Sequence, residues 1–314
     1  MTEKNMEKGN INSILRDIIR EDNTPKYLLT RIKNYVFEAI KSSKDILDLQ
    51  DYTIMLTDIV NNPNTSIEDL IALTKYPDEE TVKQIAISLG TSKDDFDWIY
   101  DWIALNIRSA LASNPKINQD ILRDLKNYAV EGLSNLKKDD GAWEGYMHIL
   151  LNVAKNQNTP ADVLRDLAKY PDEETEKRVG ELTLHDLSEV GDMQRVVAEN
   201  KNTPSDALSA IKKQVMEDIS KKLSNIAPKR DLIDNLIILK IIAQHQNTSI
   251  EDLKDLADLE SVRPFYVSES YLENLYNMVN SIREGAKNNL KQKRKEISEV
   301  LRKDRTTLQP SLIG

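Results

Sequence analysis

Cysteine is absent from this chain. Its absence excludes disulfides, thiolate-held metal and iron–sulfur sites, and cysteine nucleophiles. Glycine is sparse at 9 in 314 residues. With so much Leu, Ile, Lys, Glu and Asp, the composition favours helix over strand. Histidine occurs three times, at His148, His185 and His245, with no H-E-x-x-H, and no G-x-G-x-x-G or P-loop phrase is present. His148 adjoins an apolar stripe and reads as a structural side chain. No apolar run approaches the ~20 residues needed to cross a bilayer. The first residues carry charges throughout, unlike a signal peptide. The expected address is cytoplasmic, and no cofactor or metal is expected.

Charge is uneven. Between Arg283 and Arg305 nine Lys/Arg face four Asp/Glu, a net +5 in a chain of net −9, so the remainder carries −14. An acidic body repels phosphate backbones, which argues against nucleic acid as its ligand.

What the sequence does have is a repeat. IVNNPNTS at Thr65, VAKNQNTP at Thr159, VAENKNTP at Thr203 and IAQHQNTS at Thr248 share one pattern, with a degenerate copy at Ile117 and a partial one at Thr24. Successive spacings are 41, 52, 42, 44 and 45 residues. Apolar columns are keyed to each copy. Leu29, Leu70, Leu122, Leu164, Leu208 and Leu253 follow the Thr position by five residues. Ile32, Leu73, Leu125, Leu167, Ile211 and Leu256 follow by eight, so both columns share a helical face. Before the turn, Ile18, Ile59, Leu111, Val153, Val197 and Ile242 stand four residues after Ile14, Met55, Ile107, Ile149, Met193 and Ile238. Each unit therefore reads as helix, tight turn, helix.

The turn residues suggest local roles. Thr65 with Glu68 and Thr248 with Glu251 fit a capping box. Pro25, Pro160 and Pro204 suit the first helical position. Asn62, Asn114, Asn156 and Asn200 stand where a helix must stop, and Asn tolerates the left-handed conformation there; His245 falls in the same column. The phrase Lys75–Thr81 recurs letter for letter at Lys169–Thr175, and its proline predicts a third short helix in those two units. Units without it, at residues 33–42, 126–136 and 212–223, should run on as longer helices.

The phrase N-x-N-T-P-x-x-x-L-x-x-L-A, clearest at Asn156–Ala168 and Asn62–Leu73, resembles the variant leucine-rich repeat of the wider HEAT/armadillo group. The resemblance covers roughly Ile11 to Val267. The family's unit is about half as long as the spacing here, and its iron–sulfur member needs cysteines. The resemblance implies a right-handed helical superhelix and carries over no active site.

The expected organisation is a disordered tail (1–10), a helical repeat array (11–267), a C-terminal helical cap (268–305) and a flexible tail (306–314). The expected fold is all-α: a right-handed α-solenoid of about six repeats plus a capping helix. The expected function is non-enzymatic, a scaffold or adaptor for a protein or an extended, cationic peptide. The alternatives are a HEAT-like nucleic-acid binder and an enzyme or small-ligand binder using an inter-helix pocket. The expected contact region lies in the insertion behind the 52-residue spacing. There Asp94, Asp97, Trp98, Asp101 and Trp102 form an acid-and-aromatic ridge suited to cation–π and charge contacts. Trp143 joins it from a second acid-rich stretch that Gly141 and Gly145 make loop-like. The plainer alternative is a solvated acidic helix face with its aromatics tucked inward.

Overall fold

The computed structural model describes residues 3–90, 94–136, 142–170, 187–224, 229–259 and 269–307; of these, 3–10, 94–98, 187–192, 222–224, 229–231, 269–271 and 301–307 are described as helix backbone alone. Among the described residues the protein is all-α, with no strand. Its helices are α1 (Glu3–Arg20), α2 (Lys26–Lys41), α3 (Ile46–Asn61), α4 (Ile67–Thr74), α5 (Glu79–Leu89), α6 (Asp94–Ser113), α7 (Gln119–Asn135), α8 (Trp143–Lys155), α9 (Ala161–Leu167), α10 (Leu187–Glu199), α11 (Ser205–Ser224), α12 (Lys229–Gln244), α13 (Ile250–Ala257) and α14 (Glu269–Thr307). Helix α1 thus takes in residues 3–10, expected as a tail. The chain forms two compact units, Met1–Thr159 and Pro160–Gly314.

Packing follows one rule within each unit. In the first, α1 packs on α3, α3 on α6 and α6 on α8, while α2, α4 and α7 pack on α3, α6 and α8. In the second, α10 packs on α12 and α12 on α14, while α9, α11 and α13 pack on α10, α12 and α14. Helices before a turn contact one another in succession, and each helix after a turn rests on the next helix before one. The sequence columns line these contacts. All six Leu positions from Leu29 to Leu253 are fully buried, as are Ile59, Leu111, Val153, Val197 and Ile242. Each such side chain contributes roughly 1.5–3 kcal/mol by leaving water. The first copy differs: Ile14 is 51% exposed, because α1 has no such helix before it among the described residues.

The turns hold the units together in a way the local reading did not foresee. Asn62 and Asn156 have extended backbones, with φ of −68° and −66°, not the left-handed conformation. Their side chains do two jobs. The carbonyl oxygen accepts from the backbone two residues on: Asn64 N–H to Asn62 Oδ1 at 2.8 Å, Lys116 to Asn114 at 2.8 Å, Asn158 to Asn156 at 2.9 Å and Asn202 to Asn200 at 3.0 Å. The amide nitrogen reaches the preceding turn. Asn62 Nδ2 donates to Ile19 O and Glu21 O, and Asn156 Nδ2 to Ala112 O and Asn114 O at 2.9 and 3.0 Å. Asn114 Nδ2 donates to Val60 O. Asn carries an acceptor and a forked donor on one short side chain, which suits it to this position. A second rung lies beside the first: Asn64 donates to Asp22 O and Thr24 O, Asn158 to Pro115 O and Ile117 O, Asn247 to Lys201 O and Thr203 O. Lys116 substitutes its ammonium at that rung, donating to Pro63 O and Thr65 O.

The capping assignments also shift by one residue. Thr65 and Thr248 do not cap the following helix; their hydroxyls donate back to Ile59 O and Ile242 O, satisfying carbonyls at the end of the preceding one. The N-caps are Ser66 and Ser249, which accept from Asp69 N–H and Asp252 N–H at 3.1 and 3.0 Å. Pro25 and Pro160 occupy the N-cap position itself. The third short helix appears as α5, capped by Asp78; its second copy, after Tyr170, lies outside the described residues. Helices α2, α7 and α11 run on as expected.

Helix α14 continues the register. Ile282, Ala286 and Asn289 follow Ile238, Ile242 and His245 by 44 residues each, and both apolar positions are fully buried. Asn289 Nδ2 donates to Ala243 O and His245 O, and Lys293 Nζ to Gln246 O at 2.8 Å. The rung is made from inside an unbroken helix.

Candidate functional site

The ridge on α6 is reached from its C-terminal half. The side chains of Asp94, Asp97 and Trp98 lie outside the described residues. Ile99 and Ile103 are buried, and Trp102 is half-buried on the flank of the helix that also carries the exposed Asn106 and Ser113. Asp101 is engaged from within its own unit: Tyr146 OH donates to Asp101 Oδ1 at 3.1 Å. The Tyr146 ring lies 5.6 Å from that of Tyr128, over which the Arg108 guanidinium sits at 4.1 Å. Arg108 is only 7% exposed and donates to Tyr100 OH at 3.4 Å. A cluster across α6, α7 and α8 therefore gathers an acid and a base around two tyrosine rings. Burial pushes the Tyr128 hydroxyl up to about 12 and raises that of Tyr146 as well, so both stay neutral.

Trp143 is 6% exposed and is not a surface anchor. It shares a helical face with Tyr146, Met147 and Leu150, all buried, so the face it presents is the core face of α8. Gly145 is helical, not loop-like: a Cβ there would meet Leu105 Cδ1 at 2.7 Å, so glycine permits the close approach of α8 to α6. His148 is exposed, not a core side chain, and His185 lies outside the described residues.

Among the described residues, the sequence reading missed two largely buried ion pairs, one in each compact unit. Lys33 Nζ meets Asp69 Oδ1 at 2.7 Å, with Thr30 and Ser66 donating to Asp69 Oδ2 at 2.6 and 2.8 Å. Lys212 Nζ meets Asp252 Oδ1 at 2.6 Å, with Ser209 and Ser249 donating to Asp252 Oδ2. Burial alone would raise both carboxyls, but hydrogen bonds from the lysine and two hydroxyls outweigh it and hold them below the usual range. Lys212 is held above its ordinary value: its burial is outweighed by Asp252 and Asp255. The available signal was the phrase Ser-Ile-Glu-Asp-Leu, present at both 66–70 and 249–253.

The space beside these pairs differs. Next to Lys33, the ring of Tyr76 stacks on Phe37 with centroids 4.0 Å apart. At the corresponding register Met216 and Leu259 border a groove of about 790 Å³ that also takes in Lys212 and Asp255. A second groove, of about 660 Å³, runs between the last turn and α14 and is lined by Gln244, Gln246, Asn247, Asn288, Asn289 and Gln292, with Lys293 and Glu296. At its back, His245 Nε2 lies 3.0 Å from Asn200 O while Nδ1 accepts from Asn247 N–H at 3.1 Å. A carbonyl only accepts and an amide only donates, so this is the neutral Nε2–H tautomer. Burial, with help from Lys293, depresses the His245 pKa against the opposing bond to Asn200 O.

Among the described residues no group of three or more His, Asp or Glu is placed to hold a metal ion, and no helix is long and apolar enough to cross a membrane.

No family model and no curated protein matches the chain. Among solved structures it is similar to an engineered protein crystallised by the Northeast Structural Genomics Consortium, at 17% identity over 90% of this chain and 77% of that one, with a TM-score of 0.39.

Proposed function

We propose that this chain is a non-enzymatic cytoplasmic scaffold: an α-solenoid of the HEAT/armadillo kind, right-handed, with about six units and α14 as its cap, whose surface docks another protein or an extended peptide. The observation that carries the reading is the recurrence of one turn, bonded through Asn to the turn before it, at the spacing of the sequence repeat. Units joined only to their neighbours build length, and length offers surface. A second support is where the polar groups go. The buried Asn and Thr of the turns bond the chain's own backbone, and Lys33 with Asp69 and Lys212 with Asp252 bond one another, which accounts for these groups without a reaction.

Contact is expected along the α6 ridge, with Trp98 and Trp102 as aromatic anchors and Asp94 and Asp97 as acids; Trp143 drops out, being buried. The test is affinity capture with the tagged chain from its native cell, beside the Trp98→Ala, Trp102→Ala double variant checked for fold by circular dichroism. Loss of a specific polypeptide with the folded variant is the expected outcome. Retention of every partner removes the ridge, and capture of none by the wild type removes the scaffold.

A further inference from the structure

The groove between the last turn and α14 is walled by carboxamides, with neither an aromatic nor a branched aliphatic side chain in its lining. Some of those amides are already used. Asn247 and Asn289 reach carbonyls of neighbouring turns, and Gln292 Nε2 donates to Glu296 at 3.0 Å. The side chains of Gln244, Gln246 and Asn288 are exposed and make no hydrogen bond among the described residues.

We propose that this groove binds the main chain of an extended segment of a partner polypeptide, with Gln244, Gln246 and Asn288 as the groups that clasp it. The proposal rests on the scaffold reading above and names what such a scaffold would hold at this place. The chain itself supplies the precedent. In both compact units its carboxamides grip pairs of main-chain carbonyls two residues apart: Ile19 and Glu21 by Asn62, Lys201 and Thr203 by Asn247, Ala243 and His245 by Asn289. A carboxamide offers both donors and an acceptor. An extended chain presents both an N–H and a C=O on every second residue of one edge, so a carboxamide can pair with both groups of such a residue without regard to side-chain identity.

The lining disfavours other occupants. Its single cation, Lys293, donates to Gln246 O and is balanced by Glu296, so a polyanion gains little there. An amphipathic helix needs an apolar stripe, which the lining lacks.

The test uses the full chain and a neutral peptide of alternating Thr and Val. Binding is followed by NMR on the side-chain NH2 resonances of the groove and by fluorescence anisotropy of the labelled peptide. Saturable binding should move the Gln244, Gln246 and Asn288 resonances. N-methylation of alternate peptide bonds should abolish it, while exchanging Thr for Ser should not. The Gln244→Leu, Asn288→Leu variant, altered only at exposed positions, should bind at least about tenfold more weakly with an unchanged circular dichroism spectrum, since each lost bond is worth roughly a factor of two to ten. Absence of saturable binding overturns the proposal, as does indifference to N-methylation or full affinity in the double variant. A single-stranded adenine oligonucleotide moving the same resonances more strongly would mark a nucleic-acid site and also overturn it. If the Trp98/Trp102 variant loses a captured partner while the peptide fails here, the scaffold stands and this groove does not.

Discussion

At position 245 the chain carries histidine where Asn62, Asn114, Asn156 and Asn200 stand in other turns, and the imidazole reproduces both Asn roles with one donor and one acceptor. The substitution has a cost that Asn does not. Burial disfavours the charged ring and, with Lys293, outweighs the bond to Asn200 O; protonating Nδ1 also destroys the acceptor for Asn247 N–H. The folded-state pKa is therefore below that of the unfolded chain, about 6.5. The sign follows from linkage. Above the unfolded value the contribution of His245 is fully present; as pH falls through it, the unfolded state takes up the proton first and stability is lost. The carboxyls of Asp69 and Asp252, also held low, lose their contribution only in the more acidic range below about 4. His245→Asn should thus match or exceed the wild type at pH 7.5, with an advantage that widens toward pH 5, as read by urea denaturation at each pH. An advantage that shrinks on acidification would show that the ring is not the titrating group.

At the scale of elements, the packed face of each helix was legible and the bonds between units were not. The columns at Leu29, Leu70 and their successors follow helical periodicity, which acts along the chain, and the structure buries them all. The capping of α4 was misread because Thr65 and Ser66 both carry hydroxyls: sequence alone does not decide which one points back and which points forward. The backbone of Asn62 was misread for a deeper reason, since its partners lie about forty residues earlier, and local propensity carries no information on them. Trp143 could have been placed, because Trp143, Tyr146, Met147 and Leu150 follow the same i, i+3, i+4, i+7 rule as the columns. So could Asn289, which sits 44 residues after His245. Glycine marks helix contacts that no pattern reveals. At Gly132 on α7 a Cβ would stand 2.2 Å from the Tyr146 ring. Gly132→Ala should destabilise the first compact unit by about 1–3 kcal/mol through this clash, although alanine is the better helix former by about 1 kcal/mol. Thermal denaturation decides the sign; an unchanged or raised midpoint would mean the ring moves aside freely.

For the whole molecule, the account turns on the bonds between successive turns. Apolar columns make helices pack, but they leave each pair free to slide; the Asn rungs fix which carbonyls meet. Asn62, itself 4% exposed, makes three of these bonds: a buried one to Ile19 O, and part-buried ones to Glu21 O and from Asn64 N–H. At roughly 1 kcal/mol for each bond, with a further cost for carbonyls stranded away from water, Asn62→Ala should lower the unfolding free energy by about 2–4 kcal/mol. Guanidinium denaturation of Asn62→Ala beside the wild type at pH 7.5 is the direct measurement. The account predicts a midpoint shift of that size with the slope retained; a variant within about 0.5 kcal/mol of the wild type, the spread of an ordinary surface change, would contradict it.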